Sequence, residues 1–368
     1  MTIYPFRPIF PNFQLIASAD TFFATVKHEF PAYWKSGFFS EADQEALFVY
    51  EITGPNRHYL GVVACTDIHD YLDGRIKCHE ETLAAKERYM TNLLLEREAM
   101  IKPVLLTYPR NQAIDDLVAE VRSGEPVHAV IFREEQQEHR LYAVEDPEQI
   151  RAFQRMFAEQ IARAYIADGH HRCATGARLY ETVPVDQRRL RYARLLCLFL
   201  PFDQLIIHDY NRVIEILHEI SPTVFLARVS RLCHIHHLKQ ATKPRAKHEI
   251  TLYLDREWYR LRWKKFVLKQ YADRLVVLDG EILNNEVLGP ILGIEDVRND
   301  LRLRYVEGIS GIEGVIEKTH KSAYRIGFCI YPVAMEELVK VADAGETLPP
   351  KSTWFEPRVK NGLISTAL

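Results

Sequence analysis

The sequence predicts an α+β (mixed α/β) fold, in which strands and helices follow one another without a fixed order. Residues 46–52 and 59–66 are apolar runs separated by a polar turn, which is typical of two paired strands. Residues 250–254 and 259–263 alternate with a period of two around a short charged turn, which indicates a hairpin. The chain has no internal repeat and no regular strand–helix–strand rhythm, and this favours α+β.

Further elements follow from periodicity and from residues that start or stop helices. Strand patterns cover residues 103–108, 127–132, 140–144, 164–168 and 325–331, and helical patterns cover residues 79–100, 112–123, 146–163, part of 279–292 and 333–344. Residues 189–201 fit either a helix or a strand. The basic segment 239–247 contains Pro244 and is the predicted linker, so we expect one portion over residues 1–245 and a C-terminal α/β portion over residues 246–368 packed on it.

Composition excludes several classes of protein. The chain of 368 residues carries 47 Lys and Arg against 50 Asp and Glu, and 47% of its residues are hydrophobic, which is an ordinary globular composition. A net charge of −3 provides no overall field that would attract nucleic acid or an anionic membrane. We therefore expect no nucleic-acid partner and no membrane partner.

The six cysteines indicate a reducing compartment. None of them forms a C-x-x-C pair, and in a chain of this length they are typical of buried, reduced thiols. The N-terminal residues lack the basic start and apolar run of a signal peptide, and no apolar run approaches the ~18 residues that span a bilayer. We expect a cytoplasmic protein.

The segment Asp168-Gly169-His170-His171-Arg172 lies between a predicted strand and a predicted helix. Glycine lets a ligand approach the backbone closely, and the first turn of a helix offers unpaired N–H groups to an anion. Arg172 could bind two phosphate oxygens, and Asp168 could hold Mg²⁺. These residues predict a phosphate site. The alternative is a plain helix start, capped by Asp168, with both histidines hydrogen-bonded in the core.

Two other polar clusters could hold a metal ion, but a solvated surface is the favoured interpretation of each. They are a histidine-rich strand edge (His234, His236 and His237) and an acidic loop (Asp67, His69, Asp70 and Asp73).

Three separated segments resemble the domain-of-unknown-function 1015 family. Residues 166–172 read Ile-Ala-Asp-Gly-His-His-Arg, which resembles the family signature. Residues 79–82, His-Glu-Glu-Thr, resemble its His-Glu-x-Thr element, and residues 349–355, Pro-Pro-Lys-Ser-Thr-Trp-Phe, resemble its closing motif. One departure is visible, because residues 13–18 stand where members often carry Pro-Pro-Tyr-Asp-Val.

The Asp-Gly-His-His-Arg segment also resembles the phosphate-binding box of the ParB–sulfiredoxin superfamily. That resemblance implies that residues 1–245 form a nucleotide-binding domain with a mixed sheet and flanking helices. It further implies a nucleoside di- or triphosphate, ATP or ADP, at this turn. The superfamily includes partition proteins, sulfiredoxins and kinases that act on free serine.

Two of these branches are disfavoured by particular residues. A sulfiredoxin needs a cysteine just before the His-Arg pair, but that position is His170, and Cys173 follows the arginine. A partition protein needs a helix-turn-helix after the box, but residues 181–186 contain Pro184 and no recognition-helix pattern follows.

The resemblance therefore implies a kinase that uses ATP or ADP with Mg²⁺ and phosphorylates a small hydroxy amino acid, with free serine favoured. The implied catalytic residues are Glu80 as general base, His79 and Asp168, of which Asp168 is also the metal ligand. Gly169, His170, His171, Arg172 and Lys351 are the implied nucleotide-binding residues. Acidic residues in a first helical turn are also common without any function, and residues 349–353 equally fit a rigid turn. A non-enzymatic nucleotide sensor is the alternative function.

Overall fold

A computed structural model describes residues 1–82, 84–187 and 191–368. The strands are β1 (Ile3–Tyr4), β2 (Ile9–Pro11), β3 (Phe39–Glu41), β4 (Leu47–Thr53), β5 (His58–Asp67), β6 (Ile76–Lys77), β7 (Ala99–Met100), β8 (Val104–Tyr108), β9 (His128–Phe132), β10 (Gln137–Val144), β11 (Ala164–Asp168), β12 (Arg194–Pro201), β13 (Ile206–His208), β14 (Tyr210–Glu215), β15 (Cys233–Leu238), β16 (Glu249–Leu254), β17 (Glu257–Trp263), β18 (Leu303–Glu307), β19 (Arg325–Cys329), β20 (Trp354–Glu356) and β21 (Thr366–Ala367).

Helices are interspersed among these strands, and the α+β class is confirmed. They are α1 (Ala19–Lys35), α2 (Ile68–Leu72), α3 (Ala84–Arg97), α4 (Gln112–Arg122), α5 (Pro147–Gln160), α6 (His170–Thr182), α7 (Val185–Gln187), α8 (Pro222–Val229), α9 (Lys265–Lys269), α10 (Asp279–Leu283), α11 (Gly311–His320) and α12 (Met335–Asp343). Among the described residues, no helix is both long and apolar enough to cross a membrane.

The chain divides into two compact units. The first contains residues 1–206 and 357–368, and the second contains residues 207–356. The boundary that the basic segment 239–247 suggested falls inside the second unit, because β14 and β15 before it and β16 after it belong to one sheet. Since sheet pairing joins strands that are distant in the chain, a local change of composition does not mark this boundary.

The first unit is built on a mixed sheet with the strand order β6-β11-β8-β12-β5-β4-β10-β9, and β1 pairs with β5. β11 runs parallel to β6 and antiparallel to β8, and β12 runs parallel to β8. The buried apolar runs of β5 and β12 lie side by side, and Gly61 permits their close approach. A Cβ atom at Gly61 would lie 2.3 Å from the carbonyl oxygen of Phe199.

Helices α4, α5 and α6 cover a hydrophobic core against this sheet. They contribute Ile114, Phe157 and Cys173, which pack with Leu106 and Phe199 of the sheet, and all five side chains are fully buried. Packing of this core fixes the positions of β11 and α6, which meet at Gly169. The strand-to-helix turn predicted at residues 168–172 is therefore confirmed.

The second unit is built on an antiparallel sheet with the order β15-β17-β16-β19-β14-β18. The predicted hairpin is β16 and β17, in which Ile250 pairs with Leu261. Phe225, Leu252 and Phe328 belong to its own hydrophobic core.

Two predicted elements need correction. The helix predicted over residues 79–100 is α3, and residues 79–82 precede it in an irregular segment. His79, Thr82 and Lys86 therefore do not share a helix face, because burial of His79 (1% exposed) holds the chain in another conformation. Residues 189–201 form strand β12 from Arg194 onward. Residue 83 of the first prediction and residues 189 and 190 of the second lie outside the described residues.

Candidate functional site

The site is centred on the turn between β11 and α6. Gly169 is the N-cap residue of α6 and has a φ of +123°, a backbone conformation that side chains with a Cβ rarely adopt. No side chain caps this helix, and the Gly169 carbonyl accepts hydrogen bonds from the N–H groups of Arg172 and Cys173. The positive end of the α6 dipole therefore faces the turn without a capping oxygen, which is the geometry that binds anions.

Asp168, at the end of β11, lies among three cationic side chains. Its Oδ2 atom is 2.9 Å from Lys102 Nζ and 3.0 Å from Arg172 Nη2, and its Oδ1 atom is 3.5 Å from Arg358 Nη1. Burial raises the pKa of Asp168, but the charges of Arg172, Lys102 and Arg358 outweigh burial and hold this pKa well below its usual range. The carboxylate is thus ionised and lies beside three positively charged side chains.

The sequence patterns do not identify Lys102 and Arg358 as site residues. Lys102 lies just before β8, the strand that pairs with β11. Arg358 lies in the C-terminal segment 357–368, which belongs to the first unit. Burial lowers the pKa of Lys102, while the Asp168 carboxylate acts to raise it. Neither residue lies in a motif of its own, so only the sheet pairing and the tertiary fold reveal them.

Arg172 uses its guanidinium mainly to hold the backbone. Its Nη1 atom donates to the carbonyl oxygens of Lys102 (3.0 Å) and Pro103 (2.6 Å), and its Nη2 atom donates to the carbonyl oxygen of Asp168 (3.1 Å). The guanidinium also lies over Gly169, and a Cβ atom at that residue would be only 2.9 Å from Nη2 of Arg172. Arg172 therefore joins the end of β11 to the residues that precede β8.

The His79-Glu80 segment and the turn are brought together. The imidazole rings of His79 and His170 meet edge to face at a centroid distance of 4.4 Å, and the His79 N–H group faces His170 Nε2 at 3.4 Å. Glu80 Oε2 lies 3.7 Å from His170 Nδ1, and the Glu80 side chain is 46% exposed. Because Nε2 accepts from the backbone, a neutral His170 carries its proton on Nδ1, toward Glu80. The two segments that the resemblance singled out thus lie in contact.

The buried histidine pair should make the fold sensitive to acid. Burial lowers the pKa of His170 to about 4 and that of His79 well below its usual value. Both are neutral in the folded state, whereas an unfolded histidine titrates near ~6.5. The contribution of these neutral histidines to the free energy of unfolding is thus fully present above pH ~6.5 and is lost as the pH falls toward 4. His170 alone accounts for about 3 kcal/mol of this loss.

Chemical denaturation at several pH values between 7 and 4 measures this effect. His170→Asn should make the free energy of unfolding depend less steeply on pH than it does in the native protein. His234→Gln, which changes an exposed histidine of β15, is the control and should keep the native slope. An unchanged slope in His170→Asn would contradict a neutral, buried His170.

His171 and Lys351, the remaining predicted nucleotide ligands, differ in their surroundings. Burial and the nearby Lys86 lower the pKa of His171, and among the described residues its Nδ1 atom has no hydrogen-bond partner. Lys351 belongs to the second unit, where its ammonium group lies 5.0 Å from the centre of the Tyr210 ring. Its role in binding nucleotide stays a prediction.

The surroundings of Asp168 do not fit a resident Mg²⁺ ion. Mg²⁺ needs several oxygen ligands, but the nearest charged neighbours of this carboxylate are cations. Within the ranges that the structure describes, no group of three or more His, Cys, Asp or Glu side chains could hold a metal.

Side chains of the two other polar clusters, the acidic loop and the histidine-rich strand edge, bind other protein groups. Asp67 accepts from the His69 N–H group at the start of α2, and Asp70 is fully buried, accepts from the Thr2 N–H group and forms an ion pair with Arg75. This loop was expected to be solvated, and Asp70 corrects that expectation. In the histidine-rich strand, His237 pairs with Glu257 across β15 and β17.

Cys173 does not face the turn. It is fully buried in the core of the first unit, and burial raises the pKa of its thiol. A buried thiol that stays protonated is not a nucleophile, so the site lacks the group that sulfiredoxin chemistry requires at this position.

A family model described as "Protein of unknown function (DUF1015)" matches residues 9–281. The comparison with curated proteins found no match. Among solved structures, a free serine kinase in complex with AMP has 14% identity and a TM-score of 0.41, covering 80% of this chain and 86% of its own. SbnI with a C-terminal truncation, from Staphylococcus aureus, has 12% identity and a TM-score of 0.43, covering 81% and 85%. Likeness at this level establishes no shared activity.

Proposed function

This chain belongs to the DUF1015 family, and we propose that it is a nucleotide-dependent kinase that phosphorylates the hydroxyl group of a small metabolite, with free serine as the favoured acceptor. One observation carries the proposal: a carboxylate, Glu80, lies beside a cationic, uncapped helix start. The Oε2 atom of Glu80 is 3.7 Å from His170, the first residue of α6. Phosphoryl transfer requires both parts, because cations must neutralise the phosphates and a base must accept the hydroxyl proton.

In this proposal the uncapped N–H groups of α6 and the cations around Asp168 hold the phosphates of ATP or ADP. The acceptor oxygen attacks the terminal phosphorus, and the bond from that phosphorus to its bridging oxygen breaks. The proton of the hydroxyl group passes to Glu80, and the shortened nucleotide leaves with the bridging oxygen. His170 directs its Nδ1 proton at Glu80 and so orients the carboxylate, and the buried His79 holds His170 in place.

The ParB–sulfiredoxin relationship implied by the Asp-Gly-His-His-Arg segment belongs to this proposal. It is supported by a mixed sheet whose strand β11 leads into α6 through Gly169. A cytoplasmic location is part of the same proposal, because that compartment supplies nucleotides and keeps the six free cysteines reduced.

A thermal-shift series with ATP, ADP and adenosine, each with and without Mg²⁺ and serine, tests the proposal. A nucleotide at ~100 times its dissociation constant should stabilise the fold by about 2.7 kcal/mol. Adenosine, which lacks phosphate, is the control and should stabilise it much less. Phosphorus NMR of the same mixtures should then show a phosphorylated acceptor.

The possible outcomes separate the alternatives. Stabilisation by nucleotide without any phosphorylated product from serine or another hydroxy amino acid would favour a nucleotide sensor. No stabilisation by any phosphate-bearing ligand would contradict both functions.

A further inference from the structure

We propose that Asp168 is an internal counter-anion, which holds the ammonium group of Lys102 and gives it up to the nucleotide when it binds. The ligand that takes over this ammonium group is the terminal phosphate of a nucleoside di- or triphosphate, or pyrophosphate as its simplest form. This inference rests on the proposed function, and it assigns to Asp168 a role opposite to that of a metal ligand.

The carboxylate divides its two oxygens among the three cations. Oδ2 faces Lys102 at 2.9 Å and Arg172 at 3.0 Å, whereas Oδ1 faces Arg358 at 3.5 Å. Carboxylate and phosphate oxygens accept the same charge-assisted hydrogen bonds from ammonium and guanidinium groups. A phosphate dianion carries twice the charge of the Asp168 carboxylate, so it would attract the Lys102 ammonium group more strongly.

The three cations differ in what else they bind. Arg172 donates to the carbonyl oxygens of Lys102, Pro103 and Asp168, so its guanidinium is committed to the backbone. The ammonium group of Lys102 has three donor hydrogens and donates to Asp168 Oδ2. The Lys102 and Arg358 side chains are 22% and 39% exposed, so an anion can approach them from solvent. Lys102 is therefore the cation that can turn from the carboxylate to a phosphate, while Arg172 keeps the turn in shape.

Charge removal at Asp168 distinguishes the two possible roles by the sign of the effect. If Asp168 competes with phosphate for Lys102, its neutral replacement releases the ammonium group of Lys102, and anions bind more tightly. If Asp168 is a ligand of Mg²⁺, the same replacement removes a ligand, and binding of the metal–nucleotide complex weakens.

Calorimetric titration of the full chain with pyrophosphate and with ADP, first in EDTA and then with Mg²⁺, provides the test. Asp168→Asn should bind each ligand about tenfold more tightly than the native protein, since one charge-assisted contact no longer has to be broken. Lys102→Met should bind them at least about tenfold more weakly, and Lys102→Arg, which keeps the charge, should stay within about threefold of the native protein.

Equal or weaker binding by folded Asp168→Asn would overturn the inference, and so would the absence of binding in both this variant and the native protein. If Asp168→Asn does not fold, the Lys102 pair decides, because equal affinity of Lys102→Met and the native protein would overturn it as well. Tighter binding by Asp168→Asn, together with no phosphoryl transfer by the native protein, would support the counter-anion and contradict the kinase alone.

Discussion

Glu80→Gln is expected to retain nucleotide affinity within about threefold and to lose 10²–10⁴-fold in the rate of phosphoryl transfer, which is the usual cost of losing a general base. Glutamine keeps the size of the side chain but cannot take the hydroxyl proton. The Glu80 carboxylate lies 3.7 Å from His170, and in the proposed function the N–H groups of α6 and the cations around Asp168 hold the phosphates instead. Turnover with saturating nucleotide and acceptor, measured next to a nucleotide titration, separates the two effects.

The neighbouring Glu81 offers a matched control. It carries the same carboxyl group one residue away, and the resemblance to the His-Glu-x-Thr element assigns the role to Glu80. Glu81→Gln should therefore stay within about threefold of native turnover. Full activity in Glu80→Gln, or an equal loss in both variants, would exclude Glu80 as the base.

How far the sequence predicts this site depends on how local each part is. The strand–glycine–helix turn follows from five consecutive residues, because Gly169 permits a positive φ and an apolar run precedes it. The same residues leave open whether Asp168 caps α6, and the structure shows no side-chain cap there. Local patterning therefore predicts the backbone turn at the centre of the candidate site.

The charges around that backbone depend on the tertiary fold. Lys102 is brought to Asp168 by the pairing of β8 with β11, and Arg358 by the return of the C-terminal segment to the first unit. A single lysine before a strand and a single arginine near the end of a chain have no distinguishing pattern. The sequence likewise predicts that Arg172 binds phosphate, although two of the three carbonyl oxygens that it contacts belong to Lys102 and Pro103, which lie far from it in the chain.

The segment around His79 shows how packing overrides periodicity. Residues 79–100 have a helical pattern, yet α3 spans Ala84–Arg97 and His79 is buried against His170. Burial of an imidazole against a second imidazole is a tertiary interaction, and no spacing within residues 79–100 encodes it. The resemblance to a family correctly joined these two segments where periodicity did not.

Arg172→Ala is expected to lower the free energy of unfolding by about 2–4 kcal/mol, because it leaves partly buried carbonyl oxygens without their donor and removes one of the cations beside the Asp168 carboxylate. The Arg172 side chain is only 18% exposed and donates to the backbone at Lys102, Pro103 and Asp168. Nucleotide affinity should fall roughly 10–150-fold together with this destabilisation, because the turn that presents the α6 N–H groups and Lys102 to phosphate loses its shape.

Arg178→Ala on the same helix is the matched control for Arg172. Its side chain is 53% exposed and lies 3.7 Å from Glu87, so removal should cost at most about 0.5 kcal/mol. Urea denaturation of both variants gives the two free energies. Arg172→Lys should recover only part of the loss, since an ammonium group can pair with Asp168 but cannot reproduce the flat guanidinium that spans two carbonyl oxygens. A native free energy of unfolding in Arg172→Ala, combined with weakened nucleotide binding, would show instead that the guanidinium acts on the phosphate and that the backbone at the end of β11 holds its shape without it.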